Sequence, residues 1–210
     1  AAPGGKGQHK VEIRTVPMLQ AIRHVAGLKA VWLLALALLG YSGCVQATLG
    51  YLPLYLRQAG WSNLNADSAI ASFHLASMIM VLPIALLSDR LGTRKKLLVV
   101  MALMTTTGIA LLFLAQGSMV WVAIILAGVV RDGFMALFMT QVIETDHVGP
   151  LYAGTATGFV MAFASLGNTL APPLGNQLAA NSASLPFAAW ALLAAAGALS
   201  LALARPHNVH

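Results

Sequence analysis

Few side chains in this sequence are placed to do chemistry. Arg131 and Asp132 stand side by side in a long apolar stretch, where a cation could hold an anionic solute and a carboxylate could carry a proton. Gly40-Tyr41-Ser42-Gly43 has the form of a Gly-x-Ser-Gly nucleophile motif, with His74 as a possible base. Asp89-Arg90-Leu91-Gly92-Thr93-Arg94-Lys95-Lys96 concentrates charge in a short loop. A Gly-x-x-x-x-Gly-Lys-Ser/Thr loop for nucleotide phosphates does not occur, and no metal-ligand cluster stands out. Cys44 is the only cysteine, so the chain forms no internal disulfide.

The elements that must position these groups follow from composition. Of 210 residues, 59% are hydrophobic and 9% are charged, and the mean hydropathy is +0.79. A soluble domain carries about 25% charged residues because water must wet its surface. Twelve Lys and Arg with six Asp and Glu cannot cover a globule of this size. Disorder, a coiled coil, a disulfide scaffold and a secreted enzyme are excluded, and an all-α integral membrane bundle is implied. The net charge of +6 reflects membrane topology and gives no reason to expect nucleic acid.

Charge-free intervals mark the crossings, since a helix needs ~20 apolar residues to span the hydrocarbon layer. They predict a six-helix membrane domain over 30–204, with spans at 30–56, 68–88, 97–116, 119–143, 151–175 and 186–204. Residues 1–29 read as a basic cytoplasmic linker and 205–210 as a cytoplasmic tail. Lys6, Lys10, Arg14, Arg23, Lys29, Arg90, Arg94, Lys95, Lys96 and Arg205 fall on one side of such a bundle, with Arg57 alone on the other. This asymmetry places both termini in the cytoplasm, and a plasma (inner) membrane is the expected location. Trp32, Tyr51, Tyr55, Trp61, Trp121, Tyr152 and Trp190 fall near span ends, as an aromatic belt does. After Pro17, a short helix would put Met18, Leu19, Ile22, Val25 and Ala26 on one face and Arg23, His24 and Lys29 elsewhere. That pattern suits a helix lying on the membrane surface and not a cleaved signal peptide.

The loop between the second and third spans, with the Ala85-Leu86-Leu87-Ser88 that precedes it, resembles the signature of the major facilitator superfamily: Gly, three residues, Asp-Arg, any residue, Gly, then basic residues. Asp89 can meet helix N-terminal amides, and Gly92 permits a positive φ in a tight reversal. Ala85 replaces the leading Gly of the pattern, and Thr93 stands where a basic residue is usual. A plain basic loop would explain Arg94 to Lys96 but needs neither Asp89 nor the Asp-Arg-x-Gly order. Glu144 occupies the place of an acidic residue common at the cytoplasmic end of the fourth helix. The resemblance implies a cytoplasmic gate in which Arg90 or Arg94 pairs with Glu144 and Asp89 engages the start of the fifth helix. Gly154, Gly158, Gly167, Ala171 and Gly175 resemble that family's Gly-rich fifth helix and suit close helix packing.

The resemblance also implies a secondary transporter that moves a small solute by alternating access, as symporter or antiporter. It implies no cofactor beyond an ion or proton gradient, and as partners the lipid bilayer and either a missing six-helix half or a second copy. The basic N-terminal segment is similar to the linker before a seventh helix, which points to the C-terminal half. A half-size protein that pairs with itself remains the alternative.

Arg131 and Asp132 lie ~18 Å from either end of span 119–143 at 1.5 Å rise per residue. An unpaired charge there costs at least ~2.5–3.5 kcal/mol. Neighbouring residues of a helix point ~100° apart, so each is expected to have its own partner. Arg131 would bind an anionic group in a cavity, and Asp132 would serve as counter-charge or proton carrier; the alternative is a structural pair buried between helices. His74, Gln46, Thr48, Gln141 and Asn168 are further polar candidates within the membrane.

An intramembrane serine protease of the rhomboid type also has six spans. Here Ser42 would lie ~21 Å deep and His74 ~9 Å deep from the same side, too far apart for proton transfer. The serine also precedes the histidine, contrary to that family's order. No enzyme is expected.

Overall fold

A computed structural model describes residues 16–92 and 94–204. Lys6, Lys10, Arg14, Thr93 and Arg205 lie outside these. The helices are α1 (Met18–Ala26), α2 (Lys29–Gln58), α3 (Asn63–Leu91), α4 (Arg94–Leu114), α5 (Met119–Gly128), α6 (Arg131–Ile143), α7 (Gly149–Asn176) and α8 (Leu185–Leu203), with a 3-10 turn at Gln177–Ala180. No strand occurs among the described residues.

The helices outrun the charge-free intervals because their end turns carry the charges out to water. The third helix begins at Ser62, whose hydroxyl accepts from the Asn65 N–H at 3.2 Å, and keeps Asp67, Asp89 and Arg90 in its outer turns. At its far end Gly92 adopts φ +59 and its N–H bonds the Ser88 carbonyl. Alanine there would meet left-handed backbone strain of about 1–2 kcal/mol. Gly92→Ala is therefore expected to lower the melting temperature by roughly 3–6 °C in detergent. An unchanged melting curve would contradict this account of the loop.

Four helices and the α5–α6 pair are long and apolar enough to cross a membrane. The exception is α7, which spans 28 residues without a charge but is diluted by Gly, Ser, Thr, Asn and Pro. It packs closely on its neighbours. At one end Trp32 of α2 meets Phe159 and Phe163, with ring centres 5.1 and 5.3 Å away. Midway, a Cβ on Gly43 would come within 2.8 Å of the Gly167 carbonyl, and one on Gly167 within 2.2 Å of the Leu39 carbonyl. Further along, the Trp190 indole of α8 fills the space at Gly175 and donates to the Ala171 carbonyl at 2.8 Å. The α7 helix thus lies along α2 for its length, and α2 is wedged between α7 and α8.

With α5 and α6 running as one, the long helices alternate in direction, and α1, the α3–α4 turn, the α6–α7 turn and the end of α8 gather at one end. That end carries Arg23, Lys29, Arg90, Arg94, Lys95 and Lys96, and is called the basic end below. At the opposite end Arg57 pairs with Asp67 at 2.5 Å, and Trp61 meets Trp121 at 5.7 Å.

Candidate functional site

The fourth crossing is not one helix. The continuous span expected over 119–143 lapses at Val129 and Val130 and resumes at Arg131. No proline causes this. The cause lies in the neighbours: a Cβ on Gly128 would meet the Phe73 carbonyl at 2.6 Å, and one on Gly133 would meet Ile84 at 2.7 Å. Two glycines let the crossing press onto α3 on both sides of the break. Polar side chains from other helices engage backbone groups there, as an interruption in hydrocarbon requires. Thr105 of α4 donates to the Ala127 carbonyl at 3.3 Å, and the Asp132 N–H donates to Ser77 Oγ of α3 at 2.9 Å. Since the Thr105 proton is used, the Tyr41 hydroxyl donates to Thr105 Oγ1 at 3.3 Å. The Tyr41 ring stacks on Phe134 with centres 3.8 Å apart.

At this break Arg131 Nη1 donates to Asp132 Oδ1 at 2.6 Å, and the two side chains are each 36% exposed. The expectation of separate partners is corrected: the two residues neutralise each other. The 100° separation applies to the first bonds of side chains on a continuous helix. Both residues lie within α6, and the long Arg131 side chain reaches round to the neighbouring carboxylate. The pair is not buried between helices either. It shares the open side of α6 with Met135, Ala136, Met139, Thr140 and Ile143, all half-buried or exposed.

The other polar residues divide. Gln46 is exposed, and Gln141 is half-buried near Lys95 and Thr145 at the basic end. Thr48 is buried, so it does not line an open cavity. Asn168 Oδ1 accepts from Ser42 Oγ at 2.8 Å, joining α2 to α7. That bond, and the close approaches of Gly40 to α8 and Gly43 to α7, explain the Gly-x-Ser-Gly sequence as helix packing. His74 is exposed and sets its ring against Phe73, away from Ser42.

At the basic end Arg94 donates to Glu144 in an ion pair that ties the start of α4 to the end of α6. Lys95 caps the end of α8 by donating to the Ala202 carbonyl at 2.7 Å. Asp89 and Arg90 are exposed and make no hydrogen bond or ion pair among the described residues. The reach from Asp89 to α7 is therefore not made, because α3 continues past Asp89 to Leu91 and carries the carboxylate outward. The glycine stripe also splits. Gly167 and Gly175 sit in the contacts described above, whereas a Cβ on Gly154 or Gly158 would meet nothing within 4 Å.

Ser77, Thr105 and Tyr41 were not singled out from the sequence. A signal existed in the run Thr105-Thr106-Thr107, hydroxyls in mid-span where carbonyls need donors, and in the isolated Ser77.

A family model described as Major Facilitator Superfamily matches residues 2–155. The chain belongs to the major facilitator superfamily. The matched stretch holds the Asp89–Lys96 loop, the Arg131–Asp132 pair and Glu144. Comparison with curated proteins gives no match. Superfamily members are membrane transporters.

Proposed function

We propose that this chain forms one wall of an alternating-access secondary transporter for a small anionic solute, organic or inorganic. The carrying observation is the mutually bonded, half-exposed Arg131–Asp132 pair at a helix break far from both membrane faces. Facing lipid, such a pair would cost several kcal/mol; facing a water-filled pathway, it costs little. Its self-neutrality suits a coupled carrier. An anion that takes Arg131 releases Asp132 to accept a proton or another cation, so solute and coupling ion bind together. The driving force is then an ion or proton gradient, with no cofactor. The opposite wall is supplied by another six-helix half or by a second copy of this chain.

The basic end faces the cytoplasm in this reading, following the distribution of Lys and Arg. Arg94 and Glu144 hold that end closed and part when it opens. Reversing either charge alone is expected to lower uptake roughly fivefold, in line with an exposed pair worth up to ~1 kcal/mol. The double reversal Arg94→Glu with Glu144→Arg should restore most of it. A double variant no better than the singles would overturn the gate.

The substrate class is tested with the complete transporter in proteoliposomes, following uptake of labelled solutes across a panel of carboxylates, phosphates and inorganic anions. Uptake of an anion that is abolished by collapsing the gradient is expected. Responses confined to cationic or neutral solutes would contradict the reading.

A further inference from the structure

The α1 helix is divided into three sectors. Ala21 and Val25 are buried against the bundle. Next to them around the helix, Met18, Leu19 and Ile22 are 78%, 81% and 39% exposed. On the remaining side lie Gln20 and Arg23. At 100° per residue the free apolar arc spans about 100° and adjoins the bundle-facing side, with the polar side opposite. A soluble surface would not put its apolar arc there. A helix lying in a membrane interface does, with one flank on protein, one in acyl chains and one in water. Its level agrees: only Gly27 and Leu28 separate it from α2, and Trp32, in the first turn of that crossing, donates to the Ala26 carbonyl at 2.8 Å. Arg23 and Lys29 are exposed at the same level and suit anionic headgroups.

The inner side of α1 grips something specific. His24 stacks on Tyr152 of α7 with ring centres 4.2 Å apart, and its Nε2 donates to the His147 carbonyl at 2.8 Å. His147 has φ +64, the one described non-glycine residue with a positive φ. It sits in the turn between Glu144, whose carboxylate meets Arg94, and Gly149. A strained turn keeps its shape only where its surroundings hold it.

We propose that α1 is a lipid-seated latch: its free arc docks on an anionic leaflet, and His24 thereby holds the turn that carries Glu144. That the leaflet is the inner one, and that the turn serves a gate, rests on the reading above; the docking and the grip do not. Membrane surface charge would then be felt at the Arg94–Glu144 tie.

The test uses the complete transporter in nanodiscs of phosphatidylcholine, with and without phosphatidylglycerol. In a Cys44→Ser background, a nitroxide at Leu19→Cys should be relaxed by oxygen, and one at Gln20→Cys by a water-soluble nickel chelate. Equal access of chelate to both labels, or shielding of the Leu19 label from both reagents by protein, would overturn the docking. By hydrogen exchange, His24→Ala should speed the amides of residues 145–149 about fivefold to tenfold, the loss of one hydrogen bond and one ring contact. His24→Phe, which keeps the stack, should fall between. Phosphatidylglycerol should slow that exchange in the wild type and not in His24→Ala. Exchange unmoved by His24→Ala would overturn the grip. Transport lost with these contrasts intact would instead count against the transport reading alone.

Discussion

Arg131→Ala in the complete transporter is expected to reduce gradient-driven uptake by about 30-fold or more while the protein reaches the membrane at its usual level. Removing the guanidinium leaves Asp132 charged and unpaired at mid-depth and deletes the group that meets the solute. Truncating one partner of a desolvated charge pair costs 2–5 kcal/mol, and partial exposure puts this pair near the lower bound, about 2 kcal/mol. Arg131→Lys keeps the charge but loses the planar fork that engages a carboxylate or phosphate with two hydrogen bonds. It should recover part of the activity, with weaker apparent affinity for the solute. Asp132→Asn separates the two roles: Arg131 remains able to hold an anion, so exchange of solute for solute should survive while uptake driven by the gradient fails. Uptake with wild-type rate and affinity in both Arg131→Ala and Arg131→Lys would remove the pair from the transport path.

Gly167→Leu is expected to be the most damaging change away from any charge. Its Cβ alone would sit 2.2 Å from the Leu39 carbonyl, a backbone atom that cannot turn aside. Gly43 on the facing helix is also close to α7, a Cβ there lying 2.8 Å from the Gly167 carbonyl, so separating the pair would undo the contact between α2 and α7. Overpacking of this kind costs ~3 kcal/mol or more, a fall of roughly 6–12 °C in melting temperature for a protein of this size. Gly154→Ala and Gly158→Ala place their methyl groups in open space and should leave the melting curve of the chain unmoved. A Gly167→Leu protein as stable as wild type would contradict the packing account.

The contrast between these glycines shows how far the sequence could be read. On α7, Gly154 and Gly158 share one face, and Gly167, nine residues beyond Gly158 and so half a turn round, shares the other with Gly175; spacing separates the two pairs but does not reveal which of them another backbone approaches. The bundle was legible because hydrocarbon admits few charges, so intervals without them marked the crossings and Lys and Arg gathered at one end. The break at Val129 and Val130 was not legible. It has no proline, and it depends on Gly128 pressing against Phe73 and on hydroxyls contributed by Ser77 and Thr105, residues 55 and 22 positions from their partners. The helix geometry assumed for Arg131 and Asp132 failed for another reason: it fixes where side chains leave the helix, and the long arginine side chain still reaches the neighbouring carboxylate. The loop from Asp89 was recognisable as a pattern, and Gly92 takes the positive φ such a reversal needs. Which basic residue meets Glu144 depended on where α3 ends, and Arg94, already in α4, is the one that reaches it.

The central claim is that the open side of α6 borders water rather than lipid. Cysteines placed one at a time at Ala136 and Met139, in a Cys44→Ser background of the complete transporter, report this without knowledge of the substrate. Membrane-impermeant maleimides applied to oriented vesicles should label both positions, from either face in turn as the transporter cycles. Labelling confined to lipid-soluble maleimides would place Arg131 and Asp132 against the acyl chains and contradict the account.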